Sequence, residues 1–320
     1  MQGASPLKAG LTPELVTVGW LTIDDIVLPN GACERSIVGG GALYSAVGAC
    51  IWNDRVGLHS VIGRPYRADV CDAIERYGLD TAGVNAIDGN GLLLWLLHES
   101  AHDKQQVPKL SSSSAAEMDE GRAALPASYC SARGFHIAPQ SPDGSFSSAD
   151  QLNRLPTMPV ITLDILSDAF VDVRLYNDLA FLNRITAFLP SREEVERIWR
   201  PADLEGWLHR QAVEHGCHVA AKVGDAGSLV CEAHTGRLYR IPCFPATVLD
   251  TTGAGDAYCG GFLSGLIDHL PIQECAARGT VSASFVIEAR GALATEHPNL
   301  SERDERFSHV LSQIDTRSSA

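Results

Sequence analysis

Short apolar runs of strand composition alternate with stretches of helical spacing along this sequence, and that alternation restricts the chain to a sheet connected through helices. Leu15-Val-Thr-Val-Gly-Trp-Leu-Thr-Ile23 has strand composition and runs into the acidic pair Asp24-Asp25. Gly39-Gly-Gly41 then opens Ala42 to Trp52, a helix of small residues suited to close packing on a sheet. Gly57 to Ile62 reads as strand, and Val70, Ala73, Ile74 and Tyr77 recur at helical spacing before Gly78, a C-cap candidate. Further strands are expected at Leu92 to Leu97, Phe135 to Ala138, Val160 to Leu163, Ile185 to Leu189, Val219 to Val223, Ser228 to Cys231 and Leu238 to Ile241. Leu204, Trp207, Leu208 and Ala212 mark an amphipathic helix closing at Gly216, and Pro271 opens another. Such repetition predicts one large parallel sheet covered by helices on both faces. The strands Thr17 to Ile26 and Gly91 to Leu97 break the regular spacing and point to a small accessory sheet, while the polar stretch from Leu97 to Ser111-Ser-Ser-Ser114 reads as a surface loop.

At 320 residues the chain is long enough for one large α/β domain or two ordinary ones, and its 45% hydrophobic content is that of a soluble globular protein. Apolar runs of about 18 residues, the length that spans a bilayer, are absent, which predicts no membrane partner. Met1 to Gly10 lacks the apolar stretch of a signal peptide, so a cytoplasmic location is expected. A net charge of -14 disfavours nucleic acid as a partner, because such proteins carry basic surface to displace counterions from phosphates. The nine cysteines are odd in number and form no Cys-x-x-Cys pair, which favours buried thiols over a metal or disulfide framework. His98 and His102 are spaced four apart but follow a strand-like run without a third ligand nearby, so lid or surface residues are expected there.

Chemistry concentrates in the run from Leu249 to Asp256, which passes through two threonines and two glycines into a helix whose Cys259, Leu263, Leu266 and Leu270 share one face. Backbone N–H groups of Gly253, Ala254 and Gly255 are thereby placed at a helix N-terminus, where orphan donors and the helix dipole both favour an anion. Glycine lets the backbone approach a phosphate closely. Asp256 adds a carboxylate beside that positive pocket. Phosphoryl transfer to an alcohol needs both parts, donors for the transferring group and a base for the hydroxyl proton. From these residues alone, Asp256 is equally a helix-start residue favoured by the dipole.

The wider run Asp250-Thr-Thr-Gly-Ala-Gly-Asp-Ala-Tyr-Cys-Gly-Gly-Phe-Leu-Ser-Gly-Leu266 closely resembles the C-terminal signature of the ribokinase-like, or PfkB, carbohydrate kinase family. Gly39-Gly-Gly-Ala-Leu-Tyr-Ser-Ala46 resembles its N-terminal glycine signature, and Gly19 to Asp24 resembles the strand that ends in a substrate-binding aspartate. Gly78-Leu-Asp-Thr81 and Lys222-Val-Gly-Asp-Ala-Gly227 fall where relatives carry similar runs, so the likeness covers roughly residues 15 to 295. The resemblance implies a single kinase domain over residues 1–320: a three-layer α/β/α ribokinase-like core with a small β-sheet lid, its strands drawn from about 20–40 and 90–110. It implies ATP and Mg2+, with a sugar, polyol or nucleoside as acceptor. Asp256 would be the base, Gly253, Ala254 and Gly255 the anion hole, and Asp24, Gly40, Gly41 and Tyr44 the acceptor site. A homodimer through the lid is what relatives suggest.

Two departures from the family pattern bear on the acceptor and the metal. Tyr44 stands where many members have asparagine, which exchanges an amide contact for one hydroxyl and a ring; Trp20 and Trp95 are further stacking candidates. Ser191-Arg-Glu-Glu194 aligns with the family's Asn-x-x-Glu element, keeping Glu194 as a water-mediated magnesium contact but replacing the asparagine. By sequence alone Glu194 is equally an exposed helix glutamate, and a surface turn residue is the lesser alternative for Asp24. Some relatives hold a monovalent cation such as K+ where Asp250, Thr252, Val286, Ala289 and Gly291 stand. Few basic residues follow Leu92 to Leu97, among them Lys104 and Lys109, which favours an unphosphorylated acceptor. The competing reading is a non-catalytic ligand-binding or regulatory protein on a kinase fold. A dinucleotide-dependent oxidoreductase is disfavoured, because neither glycine cluster completes Gly-x-Gly-x-x-Gly.

Overall fold

The computed structural model of the protein describes residues 12–98, 104–167 and 172–317. The first apolar run divides at Leu21: β1 (Leu15–Trp20) lies inside a ten-stranded sheet, and β2 (Thr22–Val27) belongs to a separate four-stranded one. The single strand expected to end at Asp24-Asp25 is therefore two strands, and Asp24 sits mid-strand opposite Ile37 and Leu94. Composition hides the break, because every residue from Leu15 to Ile26 is buried, whichever sheet it joins.

After β3 (Cys33–Gly39) the chain re-enters the main body through α1 (Gly41–Cys50), and β4 (Val56–Gly63), α2 (Arg67–Tyr77) and β5 (Asp80–Ile87) build one edge of the large sheet. β6 (Leu92–His98) and β7 (Lys104–Pro108) return to the small sheet, whose order is β3-β2-β6-β7. The polar stretch after Leu97, expected as a loop, thus contains a strand. It escapes a hydrophobicity reading because β7 is an edge strand, with Gln105 and Val107 exposed. Ser114 at the end of that stretch caps α3 (Ala115–Glu120) reciprocally with Glu117.

The remaining elements run β8 (Gly134–Ile137), α4 (Pro142–Asn153), β9 (Val160–Leu163), β10 (Ala187–Phe188), α5 (Arg192–Ile198), α6 (Leu204–His215), β11 (His218–Lys222), β12 (Ser228–Cys231) and β13 (Leu238–Ile241). The glycine run leads into α7 (Ala254–Ile267), then α8 (Ile272–Val286), α9 (Leu300–Leu311) and β14 (Asp315–Arg317). The large sheet has the order β14-β13-β12-β11-β10-β9-β8-β1-β4-β5. It is parallel from β5 to β11 and antiparallel from β11 to β14, so the wholly parallel sheet expected from the alternation is a mixed one. The link Val223 to Gly227 is too short for a crossover and forces β12 back along β11.

Alternate residues of the large sheet enter two cores. Val16, Val18, Val219, Ala221 and Leu229 meet Ala149 and Leu152 of α4 and Trp207 and Leu208 of α6. Leu15 joins the opposite core with Leu43 and Val47 of α1 and Leu263 of α7, while Ala220 and Val230 meet Phe262 of α7 and Val281 of α8. The result is three layers, helix on sheet on helix. The small residues of α1 serve a helix contact as well as the sheet: a Cβ on Gly48 would lie 2.6 Å from Ala257 Cα, and one on Gly260 would lie 2.7 Å from Ala49 N. That approach sets the N-terminus of α7 against the glycines that precede α1.

Candidate active site

A cavity of about 400 Å³ lies at the C-terminal ends of the parallel strands, where open α/β sheets take ligands. Trp20 ends β1 and Lys222 ends β11, Pro139 lies beyond β8 and Asp164 follows β9, while Thr22, Asp24, Leu92, Leu94, Leu96 and Gln106 reach it from the small sheet. Gly40, Gly41 and Tyr44 from the start of α1 and Gly253, Gly255 and Asp256 from the start of α7 complete the wall. The two glycine signatures, far apart in sequence, therefore face one space.

The helix of the glycine run begins at Ala254, two residues earlier than Asp256, so Asp256 lies within its first turn. Gly253 is the N-cap with φ 76°, in the left-handed region, and no side chain caps the helix. Of the three amides expected to face an anion, that of Ala254 donates instead to Thr251 O at 3.2 Å. The lead-in is fixed by Leu249 and Asp250 amides donating to Ile287 O at 2.8 and 3.2 Å and by Thr252 N donating to Asp250 Oδ1 at 2.9 Å. Asp250 is thus tied into the turn, beside Thr252, whose buried Oγ1 has no protein partner.

Tyr44 is buried, and a Cβ on Gly253 would run into its ring, so the ring backs the turn as well as lining the cavity. Burial, with Asp250, Asp24 and Asp256 nearby, raises its phenol far above the ordinary range and keeps it protonated. Asp24 is 4% exposed and not a surface turn residue. Gly39 leaves room for its carboxylate, and a Cβ there would also lie 2.9 Å from Thr22 Oγ1. Gly40 takes φ 103°, and its Cα hydrogens face the backbone of Leu21, 3.0 Å from where a Cβ would stand.

Glu194 is half-buried rather than an exposed helix residue. Ser191 N donates to its Oε2 at 2.6 Å and Glu194 N donates to Ser191 Oγ at 3.1 Å, so the serine in the family's asparagine position is an N-cap. Burial, reinforced by Asp164, pushes the Glu194 carboxyl up to about 8. Asp164 and Lys222 form a buried ion pair beside it, with Cys259 Sγ 3.6 Å from Asp164 Oδ2 and 3.7 Å from Lys222 Nζ. Burial alone would lower the Lys222 pKa, but Asp164, Cys259 and Glu194 hold it well above the ordinary lysine range, so it remains an ammonium.

Sequence reasoning missed Thr22, Asp164 and a role for Lys222. Thr22 shares a β2 face with Asp24 by the two-residue period, and its buried Oγ1 has no protein partner. Asp164 follows the strand Val160–Leu163 directly, the same carboxylate-after-strand signal that drew attention to Asp24. Of the stacking candidates, Trp20 lines the cavity and donates through Nε1 to Asp119 Oδ1 at 2.8 Å, whereas Trp95 faces away, with Lys109 Nζ 4.7 Å from its ring centre. Lys109 also pairs with Asp25 at 2.7 Å. His98 ends β6, and His102 lies outside the described residues.

Among the described residues, no cluster of three or more His, Cys, Asp or Glu could hold a metal unaided, and no helix is long and apolar enough to cross a membrane. Asp164 and Glu194 nonetheless supply carboxylate oxygens of the kind magnesium takes when phosphates complete its shell.

The family model described as pfkB family carbohydrate kinase matches residues 22–299. A cytidine kinase of Thermococcus kodakarensis is 27% identical over 283 residues, which span 87% of this chain and 97% of that protein. A nucleoside kinase of Methanocaldococcus jannaschii, an archaeal member of the ribokinase family, superposes with a TM-score of 0.72 at 20% identity, covering 94% of this chain and all of that one. Burkholderia thailandensis nucleoside kinase in complex with inosine gives a TM-score of 0.72 at 15% identity, covering 93% of this chain and 97% of the other. The structural likenesses establish a ribokinase-like fold with its second small sheet, and the family match runs from the first strand of that sheet to beyond α8. This chain belongs to the pfkB family of carbohydrate kinases and is a phosphotransferase acting on a sugar or nucleoside hydroxyl.

Proposed function

We propose that the enzyme transfers the γ-phosphoryl group of ATP to a hydroxyl of an unphosphorylated acceptor, with a nucleoside favoured over a free sugar. The observation that carries this reading is the division of the cavity into two ends. At one end lie the first turn of α7 and Lys222; at the other, Leu92, Leu94 and Leu96 form an apolar wall with Thr22, Asp24 and Gln106 as its polar groups. A nucleobase gains from an apolar wall, while a ribose needs only the few hydroxyl contacts that Asp24 and Thr22 provide. Among the described residues no lysine or arginine lines the acceptor end, where a sugar phosphate would call for a clamp.

In this reading Asp256 accepts the proton of the attacking hydroxyl, and the turn offers the amides of Gly253 and Gly255 and the helix dipole to the transferring group. Asp24 accepts two acceptor hydroxyls at once, Gly40 and Gly41 let the same ligand approach the backbone, and Tyr44 closes the floor. Asp164 and Glu194 would hold magnesium, which supplies charge neutralisation on the phosphates when it binds with the nucleotide. The small sheet serves as a lid within one kinase domain. A reducing, ATP-supplied cytoplasm suits a chain whose nine cysteines are all free thiols. A monovalent cation beside Asp250 completes the site, and equal turnover in K+ and in a bulky ammonium salt would remove it.

An ADP-release screen with ATP and magnesium against nucleosides, sugars, polyols and their monophosphates tests the reading. Turnover is expected with unphosphorylated acceptors, nucleosides foremost. Preference for a phosphorylated sugar would refute the acceptor assignment, and no turnover with any acceptor would refute the whole.

A further inference from the structure

Lys222 is the one basic side chain lining the cavity among the described residues, set against Asp24, Asp164, Glu193, Glu194 and Asp256. A polyphosphate received beside a wall of carboxylates gains from a fixed positive charge, and Lys222 is the side chain of the lining that supplies one. Position agrees with that role. Lys222 ends β11, its amide held to Pro190 O at 2.9 Å, and its side chain runs under the first turn of α7, with Nζ 3.4 Å from where a Cβ on Gly255 would stand. The side chain lines the cavity and is 14% exposed, so it is largely shielded from solvent.

An ammonium carries three N–H donors. Asp164 takes one, and Cys259 Sγ, at 3.7 Å, is a weak acceptor for another. Asp164 is itself anchored by the Ile165 amide donating to Oδ1 at 2.9 Å, which leaves Oδ2 to orient Lys222. We propose that Lys222 is the phosphate-binding cation of this kinase, donating to the β- or γ-phosphate of ATP beside the α7 amides, with Asp164 as the residue that positions its ammonium. The assignment rests on ATP as the donor and adds a residue to that site. A fixed point charge there acts on the phosphate chain without contacting the nucleoside end, so its removal discriminates among nucleotides by phosphate count.

The test compares wild type, Lys222→Met and the double variant Asp164→Asn/Lys222→Met by calorimetric titration with ATP, ADP and AMP in EDTA. Methionine keeps the apolar stem, and the double variant removes the buried carboxylate that would otherwise be left uncompensated and threaten folding. ATP affinity should fall about tenfold or more in both variants while AMP affinity changes by less than about twofold. A double variant that binds ATP as wild type does would overturn the assignment, reducing Lys222 to a counterion for Asp164. Failure of the wild type to bind ATP both in EDTA and with magnesium present would overturn the donor reading and this one together. A crystal structure of the wild type with a non-hydrolysable ATP analogue decides the matter without variants: Nζ within hydrogen-bonding distance of a β- or γ-oxygen supports it, and Nζ bonded only to protein overturns it.

Discussion

Gly41 and Asp256 meet at the cavity so closely that a Cβ on the glycine would lie 2.8 Å from Asp256 Oδ1. The same Cβ would lie 2.8 Å from Pro139 Cδ, so it has nowhere to yield. Gly41→Ala should therefore shift the Asp256 carboxylate while leaving both helices formed. Turnover is expected to fall about 10- to 100-fold from that misplacement, with an unchanged far-ultraviolet circular dichroism spectrum. Wild-type turnover in a folded Gly41→Ala protein would show that the contact does not position Asp256.

Asp24 reaches the cavity from the small sheet. Asp24→Asn keeps the shape but weakens acceptance from hydroxyl donors. The KM for the acceptor should rise about tenfold or more while the KM for ATP stays near wild type. Steady-state kinetics with each substrate varied in turn checks this; a change confined to ATP would move Asp24 out of the acceptor site.

Two buried histidines tie stability to pH. Burial, aided by Arg122 and opposed by a bond to Ala123 O, lowers His59 to about 4; burial, aided by Lys222, lowers His136 to about 3. Both folded values lie below the unfolded value of 6.5, so the unfolded state binds protons first as pH falls. Their contribution is complete above pH 6.5 and is lost on going down towards pH 4 and 3, at about 1.4 kcal/mol per pH unit per histidine. Urea unfolding of wild type and His136→Asn at about pH 7.5 and about pH 5.5 should show a shallower loss in the variant. Parallel losses would mean that His136 does not titrate on unfolding.

How much of this was legible in the sequence depended on chain distance. The glycine run and Asp256 are contiguous, so one stretch of residues displays the turn, the helix and the carboxylate together. Asp164 and Lys222 lie 58 residues apart and become a pair only when β9, β10 and β11 align, which no local pattern announces. The passage from β1 to β2 at Leu21 was invisible because burial is continuous across it. β7 was invisible for the opposite reason, as a polar edge strand that borrows its place from β6. The antiparallel edge was readable in the short link Val223 to Gly227, but alternation with helices drew attention to parallel order instead. For Asp24 and Glu194 the sequence left a surface reading open beside the functional one, and only the fold buries Asp24 and half-buries Glu194.

The central claim is that Asp256 takes the proton of the attacking hydroxyl, and Asp256→Asn tests it most directly because the amide keeps the shape and removes the base. ADP release with the best acceptor from the screen, measured beside ATP affinity, should show turnover lowered by at least about 100-fold with ATP bound no more weakly than in wild type. Turnover within about twofold of wild type would contradict the account.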